Sequence, residues 1–501
     1  MGEIPLRPLL TATDIANIAR CAHRVFLDRS GPQAEKLPPS AEALRLREEG
    51  IAHEKRVVEA LDVAVVPSDR SLADRVACTE EAMAAGAPLI YHGVLTHDDL
   101  TGEPDLLKRV DRASTFGSFG YEPVDVKNGR ATKSTKSAVV KTEYAMQLLA
   151  YAELLEYAQG WRPERGWIVD RHGVWQEVDL TAHAEAYTQA RVTLDLIERE
   201  RSATRPGWKT VCVQCAWRDK CWKELVAMDD LTTLPDIGEP KRDKLWAIGI
   251  RTVADMSESD PGHIAAIKGL GKGARLWPLR ARAMRTGRPA KRASWTPPRA
   301  DFEISYDVEN LTGGDVYLHG LLIRPMTARK RGAPGFTESD FGTFEPICAA
   351  HPETEAEVWG RFLAKLVELE ARGTYVTYIY SPHERGVLRR LRTTYGGSAA
   401  LDRFEASIID LRRIVVDSVI FPTDGNGLKT IADYVDFHWR DPNPGGAQSI
   451  TWWTSYWTDP EQRLDARSRV LTYNEDDVRA TFAVRDWLEQ FCAAPRAAGA
   501  M

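Results

Sequence analysis

The chain is 501 residues long, whereas one hydrophobic core rarely serves more than about 250–300 residues, so we expect two large domains, with or without a small third one. With 43% hydrophobic and 28% charged residues, the composition is that of a soluble globular protein and excludes wholesale disorder. No apolar run approaches the ~20 residues that cross a bilayer, and residues 1–11 lack the apolar core of a secretion signal. We therefore expect a cytoplasmic protein that does not contact a membrane.

The charge distribution indicates the class of partner. A net charge of −6, from 66 basic and 72 acidic residues, excludes a uniformly basic surface. Two runs nevertheless contain no acid: residues 261–300, with ten Lys or Arg, and residues 127–141, with five. Such runs are often ordinary solvated surface, but two of them in an acidic chain favour a polyanionic partner, DNA or RNA.

The N-terminal half begins with elements in the order helix, helix, strand, strand, helix. The predicted helices are residues 14–27, 42–60 and 144–157. The two strands, which lie between the second and third helices, are one opened by residues 102–105 and one at residues 121–127. Alternation along the second strand points Asp125 and Lys127 to one face, and Gln147 and Tyr151 share one face of the last helix because they are four residues apart.

These side chains suit phosphodiester hydrolysis. Hard Mg²⁺ or Mn²⁺ takes oxygen ligands, here Asp105, Asp125 and the Val126 carbonyl, and His53 can join them. Lys127 would orient or deprotonate the attacking water and stabilise charge on the phosphate. A lone Asp-x-Lys is common at strand ends. The interpretation depends on the order His, Asp, Asp-x-Lys, Gln-x3-Tyr, enclosed between one cysteine and a group of three.

The seven cysteines are an odd number, and a disulfide framework is not expected in a cytoplasmic protein. Cys212, Cys215 and Cys221 are close enough to converge on one metal centre, with Cys21 as the fourth ligand. Structural zinc usually shows a second tight pair of ligands, which is missing here. The pattern favours an iron–sulfur cluster, with zinc as the alternative.

Residues 10–225 resemble the RecB-like branch of the PD-(D/E)xK nucleases, in the type that carries an iron–sulfur cluster. The resemblance implies a restriction-endonuclease-like α/β core with a mixed central sheet, metal-dependent DNA cleavage and a 4Fe–4S cluster that ties residues 212–221 to the first helix. It also implies that Gln147 and Tyr151 lie on the substrate-side helix. The family's Gly-x-x-Asp setting is met by Gly102 and Asp105, although Asp111 lies nearby.

A helix-hairpin-helix segment is predicted between the two halves. Residues 234–256 and 267–285 each place a Gly-containing turn between helical runs, a geometry that exposes backbone N–H groups to a nucleic-acid phosphate. The second copy lies within the acid-free run, and its candidate DNA-binding residues are Lys268, Gly269, Gly271, Lys272 and Arg275. The alternative is a small helical linker between domains. Residues 287–299 are rich in Pro and Arg and are interpreted as a linker.

The chain then begins a second α/β domain. Its predicted elements are strands at 302–309, 316–323 and 375–380, a helix at 354–372 and a helix that begins at Tyr473. The first strand carries Asp307 and Glu309 on one face, and Tyr473 and Asp477 share a helix face. With Glu384, or Asp410 as the alternative, these acids suit two metal ions about 3.5–4 Å apart, and Tyr473 would position the attacking water.

Residues 301–490 resemble the DnaQ-like, RNase H-fold 3′–5′ exonucleases of the DEDDy type. By position, Asp307 and Glu309 form the first motif, and Tyr473 and Asp477 form the last. The middle motif departs from the family, because Glu384 stands where an Asp is normal.

The predicted domains are therefore 1–225, 226–295 and 301–495. The pairing resembles a bacterial family of RecB-like nucleases with an appended RNase H-like domain, sometimes fused to a helicase. We expect a metal-dependent DNA nuclease of repair, recombination or defence that acts on single strands or duplex ends, with a helicase or other repair proteins as partners. The alternatives are a DNA-end-binding scaffold with one or both sites inactive, and an RNA-processing exonuclease.

Overall fold

A computed structural model describes residues 9–132, 139–200, 204–311, 314–350, 353–442 and 444–493. Lys133 and Lys136 of the basic run 127–141 lie outside the described residues. The chain divides into two compact units, Met1–Met228 and Asp229–Met501, which we call the N-terminal and C-terminal units. Over the described residues, every helix is too short or too polar to cross a membrane.

The N-terminal unit contains seven helices and nine strands over its described residues. The helices are α1 (Ala12–Arg20), α2 (Ala22–Ser30), α3 (Ala41–Glu59), α4 (Leu72–Ala84), α5 (Thr142–Gln159), α6 (Ala184–Glu200) and α7 (Arg218–Ala227). The strands are β1 (Leu10–Thr11), β2 (Ala64–Val65), β3 (Leu89–Tyr91), β4 (Leu95–His97), β5 (Leu100–Gly102), β6 (Leu106–Val110), β7 (Gly120–Val126), β8 (Arg165–Val169) and β9 (Trp175–Asp179).

A mixed six-stranded sheet, in the order β2-β3-β6-β7-β8-β9, forms the centre of this unit. The apolar α5 packs against it and contributes Leu148, Ala152 and Leu155 to the core. Antiparallel pairing of Leu106 with Val124 sets Asp105 level with Asp125 at the edge where β7 and β8 end. The predicted single helix over 14–27 is instead two helices, because Cys21 adopts an extended backbone with φ −167° between α1 and α2.

The C-terminal unit begins with a small helical region and continues as an α/β domain. Its helices are α8 (Glu239–Trp246), α9 (Val253–Glu258), α10 (Pro261–Ala266), α11 (Trp277–Thr286), α12 (Glu355–Arg372), α13 (His383–Tyr395), α14 (Ala399–Ser407), α15 (Leu411–Ser418), α16 (Leu428–Tyr434), α17 (Gly446–Thr458) and α18 (Arg463–Ala493). Its strands are β10 (Ala290–Lys291), β11 (Phe302–Asn310), β12 (Val316–Pro325), β13 (Thr343–Cys348), β14 (Tyr375–Ile379), β15 (Ile408–Asp410) and β16 (Val419–Ile420).

The five-stranded sheet of this unit has the order β13-β12-β11-β14-β15, with β11, β14 and β15 parallel. Phe362 of α12 and Phe404 of α14 pack in the core on one side, and Val478 and Phe482 of α18 pack in a second core. Two sequence expectations differ. Tyr473 lies in the middle of the 31-residue α18 rather than at a helix start, and residues 290–291, within the expected linker, pair with β16.

Acid should destabilise the C-terminal unit through His319, which is fully buried on β12. Its Nδ1 lies 2.8 Å from the Tyr306 hydroxyl, and its ring stacks on Phe362. Burial lowers its pKa from 6.5 to about 3, so below pH 6.5 the unfolded chain binds a proton that the folded chain does not. From pH 7.5 to pH 5 we expect wild type to lose about 2 kcal/mol of stability relative to His319→Gln in urea titrations. Replacing the exposed His438 with Gln should leave that pH dependence unchanged.

Candidate active sites

Two acids meet at the sheet edge of the N-terminal unit. Asp105 follows β5 and precedes β6, and its Oδ2 accepts a 2.6 Å hydrogen bond from the Val126 N–H. Asp125 on β7 is fully buried, and apart from Lys127 Nζ at 3.0 Å no described group binds its oxygens. Burial and the charge of Asp125 raise the pKa of Asp105 to about 7. Desolvated carboxylates held this close fit a hard divalent cation between them.

A polar chain connects this edge to α5. Lys127 Nζ donates to Gln147 Oε1 at 3.3 Å, Gln147 Nε2 donates to the Tyr151 hydroxyl at 2.8 Å, and that hydroxyl donates to the Glu103 carbonyl at 3.1 Å. The sequence predicted that Gln147 and Tyr151 share a helix face, and the structure brings both of them to Lys127. The chain fixes the Lys127 ammonium beside the two carboxylates.

His53 lies at the same end of the sheet but makes a different contact. Its Nε2 lies 3.1 Å from the carbonyl oxygen of Asp170, the residue after β8, whereas no described hydrogen bond joins it to Asp105 or Asp125. The charge of the neighbouring Glu54, also on α3, helps to raise the pKa of Asp105, and the charge of Lys127 helps to lower the pKa of Glu54. Glu54 also accepts hydrogen bonds from Tyr91 and His92. Sequence reasoning missed Glu54, although its position directly after His53 was a usable signal.

The four predicted cluster ligands line one cavity of about 610 Å³ in the N-terminal unit. Cys21 lies at the break between α1 and α2, Cys212 in a 3-10 turn, Cys215 just after it and Cys221 on α7. Burial, with the other thiols adding to it, raises the pKa of Cys221 to about 12, and burial raises that of Cys212. Metal binding here would therefore release protons.

The C-terminal unit gathers its acids at the ends of β11 and β14. Asp307 and Glu309 on β11 meet Asp477 on α18 with ligand oxygens within 4.8 Å of one another. Glu384, at the start of α13, lies within hydrogen-bonding range of Asp307 and accepts from the Ser381 hydroxyl at 2.9 Å. Asp410, the alternative, instead caps α15 by accepting from the Arg413 N–H. The geometry favours Glu384 as the fourth acid.

The electrostatics of this cluster fit bound divalent cations. Burial raises the pKa of Asp307, Glu309, Glu384 and Asp477, and for Asp307 and Glu309 the neighbouring carboxylates raise it further. Four carboxylates that repel one another, three of them buried and Asp307 half-buried, are stabilised when cations neutralise them. Their oxygens are the ligands that Mg²⁺ and Mn²⁺ prefer.

Several groups around the cluster were missed by sequence reasoning. Asn474 Nδ2 donates to Asp307 Oδ2 at 2.7 Å, and Trp439 Nε1 donates to Asp477 Oδ1 at 2.7 Å. Lys429 Nζ lies 5.3 Å from the Tyr473 ring centre. Its ammonium is attracted by the carboxylates of Asp477 and Glu309. Tyr473 hydrogen-bonds Asp477. Asn474 follows Tyr473 directly, but no spacing rule singles it out.

Adding a methyl group at Gly320 should disturb this cluster. Gly320 pairs with Asp307 across β11 and β12, and a Cβ there would lie 1.7 Å from Asn474 Oδ1. Gly320→Ala must therefore displace Asn474 from Asp307, and we expect a stability loss of about 1–3 kcal/mol. Thermal melting and cleavage at the C-terminal site measure the two effects. Gly360→Ala, on an exposed turn of α12 with open space around it, should instead be neutral or stabilising.

The five predicted DNA-binding residues lie around one exposed turn of the helical region. Lys268, Gly269, Gly271, Lys272 and Arg275 are all exposed, whereas Leu270 and Ala274 anchor the turn in a small apolar core. Gly269 and Gly271 have φ values of +86° and +90°, which only glycine adopts without strain. The corresponding position of the first copy is Asp236, with φ +69° and an exposed carboxylate, so the first turn is less suited to phosphate.

Comparison with known families matches two family models, one in each unit. Residues 12–222 match the family model of the PD-(D/E)XK nuclease superfamily, and residues 329–489 match that of the RNase H superfamily. A search of curated proteins finds no match. The chain joins a PD-(D/E)XK nuclease superfamily domain to an RNase H superfamily domain, which confirms the predicted fusion and its α/β fold class. Two nuclease-superfamily domains support a metal-dependent nuclease in general and imply nucleic-acid substrates.

Proposed function

We propose that the chain is a DNA nuclease with two metal-dependent sites, a RecB-like site in the N-terminal unit and a DEDDy-type 3′–5′ exonuclease site in the C-terminal unit. The observation that carries the proposal is the set formed by the half-buried Asp307 with the buried Glu309 and Asp477, whose ligand oxygens lie within 4.8 Å of one another. Such a set is unfavourable without cations and is suited to holding two of them.

In the C-terminal site Asp307, Glu309, Glu384 and Asp477 would hold the cations. When bound, these supply a polarised phosphate and a water of lowered pKa. Tyr473 is held by Asp477, and its hydroxyl orients the attacking water. Asn474 fixes the rotamer of Asp307, and the Lys429 ammonium stabilises negative charge that develops near Asp477 and Glu309.

In the N-terminal site Asp105 and Asp125, with the Val126 carbonyl, would hold a cation of the same kind. Lys127 orients the attacking water and stabilises charge on the scissile phosphate. Its ammonium is kept in place by Asp125 and by Gln147, which Tyr151 in turn holds. Substitution of Gln147 should therefore weaken cleavage through Lys127.

We further propose that Cys21, Cys212, Cys215 and Cys221 bind a 4Fe–4S cluster. The support is that the four cysteines line one cavity and that the sequence lacks the second tight pair of ligands typical of structural zinc. The turn at Gly269 and Gly271, flanked by Lys268, Lys272 and Arg275, would bind the DNA backbone. A role in repair, recombination or defence, with a helicase as partner, is part of the same proposal.

Replacing Cys215 with Ser should remove the cluster and destabilise the N-terminal unit. The cluster would connect Cys21 to Cys212, which are far apart in the sequence, so its loss removes both a cross-link and the metal-binding free energy that stabilises the folded unit. We expect wild type purified without oxygen to be brown and to contain iron, and Cys215→Ser to be colourless and to melt at a lower temperature. The matched control is Cys78→Ser on α4. Stoichiometric zinc in a colourless wild type would contradict the cluster.

The nuclease proposal is tested with labelled DNA and RNA, single-stranded and duplex, in Mg²⁺ or Mn²⁺ and in EDTA. We expect cation-dependent cleavage, with one component lost in Lys127→Ala and the other, a 3′–5′ trimming, lost in Asp307→Ala. A purified chain that cuts nothing, or variants that cut like wild type, would favour the DNA-end-binding scaffold. Preference for RNA would favour RNA processing.

A further inference from the structure

The acid-free run 127–141 folds back on itself at the edge of the N-terminal sheet. Thr132 and Val140 form an antiparallel bridge, and the Lys141 N–H donates to the carbonyl oxygen of Ala131 at 3.0 Å. The run begins at Lys127, beside the acids of the N-terminal site. This pairing returns its last residue, Lys141, to the start of α5.

Tyr144, in the first turn of α5, shows how close the two ends of the run come. Lys127 Nζ lies 5.6 Å from the centre of its ring, and Lys141 Nζ lies 5.0 Å from the same point. Tyr144 precedes Gln147 by three residues, so the two side chains lie on one face of the helix. The N-terminal site therefore has a second ammonium group, one aromatic ring away from Lys127.

The Lys141 ammonium, unlike that of Lys127, has no acidic partner among the described residues. Its Nζ contacts the Tyr144 hydroxyl at 3.4 Å, and Glu143, the nearest acid in the sequence, pairs with Arg20 instead. An ammonium has three N–H donors, and a single long contact leaves donors for a ligand. Lysine is positively charged at neutral pH and needs no neighbouring acid for that charge.

A phosphodiester chain needs positive charge at this edge of the unit. The carboxylates of Glu54, Asp105 and Asp125 make the edge acidic and would repel a phosphate that no cation meets. In the proposed mechanism Lys127 meets the phosphate that is cut. The Lys141 ammonium is placed to meet the neighbouring phosphate of the same strand, toward the start of α5.

We propose that Lys141 binds the phosphate next to the scissile one in the substrate strand of the N-terminal site, and that the Tyr144 ring keeps the ammonium groups of Lys141 and Lys127 apart. The inference rests on the proposed nuclease function of that site. It gives a role to the acid-free run, whose two ends then hold one strand at successive phosphates.

The first test measures binding without cleavage. Lys141→Met keeps the length of the side chain, and Lys141 makes no side-chain cap for α5, so the melting temperature should stay unchanged. In EDTA we expect the Kd for a fluorescent single-stranded oligonucleotide to rise about tenfold or more, since one charged hydrogen bond is lost. The slope of log Kd against log salt should fall in size by about 0.7, the value for one lost contact to a single strand.

Two controls separate charge from position. Lys141→Arg keeps the charge, so it should keep the salt slope and most of the affinity. Lys223→Met, which removes an exposed lysine from α7, should change neither Kd nor the slope.

The second test locates the contact along the strand. The full chain carries Asp307→Asn, so that only the N-terminal site can cut, and each substrate has one uncharged methylphosphonate linkage at a different position. At the linkage next to the cut, the neutral group should lower kcat/KM about tenfold for this parent and less than about twofold when Lys141→Met is added. Lys141→Met should itself raise KM more than it lowers kcat.

Three results would overturn the proposal: an unchanged Kd in Lys141→Met, an unchanged salt slope, or equal losses from the neutral linkage with and without Lys141→Met. A lower melting temperature with an unchanged slope would assign Lys141 a structural role instead. If the Asp307→Asn parent fails to cut, the nuclease proposal fails for this site, while the measurements in EDTA still test Lys141.

Discussion

Asp307→Asn should abolish cleavage at the C-terminal site and at the same time stabilise the metal-free protein. Loss of a carboxylate that holds the cations should lower the rate at that site by at least about 10³-fold, because cation stabilisation of the transition state is worth several kcal/mol. Without metal, the substitution removes one negative charge from beside the buried carboxylates of Glu309 and Asp477. The neutral side chain can still accept the hydrogen bond from Asn474.

Thermal melting in EDTA and in Mg²⁺ checks the second half of this prediction. In EDTA the variant should melt above wild type, since repulsion among the acids is reduced. Mg²⁺ should raise the melting temperature of wild type more than that of the variant, because it binds the folded wild-type site. The control is Asp424→Asn, an exposed carboxylate of the same unit. A variant that melts below wild type in EDTA would show that these acids do not repel one another.

Arg324→Met should destabilise the C-terminal unit by about 1.5–3 kcal/mol, because it removes charged hydrogen bonds from two buried carboxylates that keep Arg485 as their other cation. Arg324 is fully buried on β12, donates to both oxygens of Asp486 at 2.9 and 2.5 Å and to Glu303 at 3.1 Å. Its guanidinium also stacks on Phe482. The measurement is urea denaturation of the full chain.

The same network should affect catalysis at one site only. Glu303 lies on β11 and Asp486 on α18, the two elements that carry Asp307 and Asp477. Loosening them should reduce cleavage at the C-terminal site and leave the N-terminal site unchanged. Arg413→Met, which breaks the exposed pair with Asp417, should cost less than about 1 kcal/mol. Equal losses in the two variants would contradict the role of the buried network.

Local spacing predicted much of both sites, because the periods of strands and helices are fixed. Alternation placed Asp125 with Lys127 and Asp307 with Glu309, and four-residue spacing placed Gln147 with Tyr151 and Tyr473 with Asp477. That the two residue pairs of each unit belong to one site was implied only by the resemblance to known families. The level position of Asp105 and Asp125 depends on the β6–β7 register, which no single strand encodes.

What the sequence could not predict depends on contacts between distant segments. Arg324 and Asp486 are 162 residues apart, and Trp439 reaches Asp477 from a segment with no motif of its own. Asn474 lies on α18 beside the motif residue Tyr473, but its contact with Asp307 joins residues 167 apart. The break at Cys21 was hidden because apolar spacing continues across it into α2.

Calorimetric titration of the metal-free chain with Mn²⁺ tests the central claim most directly, since it does not depend on the choice of substrate. Two classes of site are predicted: one lost in Asp125→Asn, the other in Asp307→Asn, and both lost in the double variant. Absence of binding, or titration curves that neither substitution changes, would contradict the account that each acid cluster holds divalent cations.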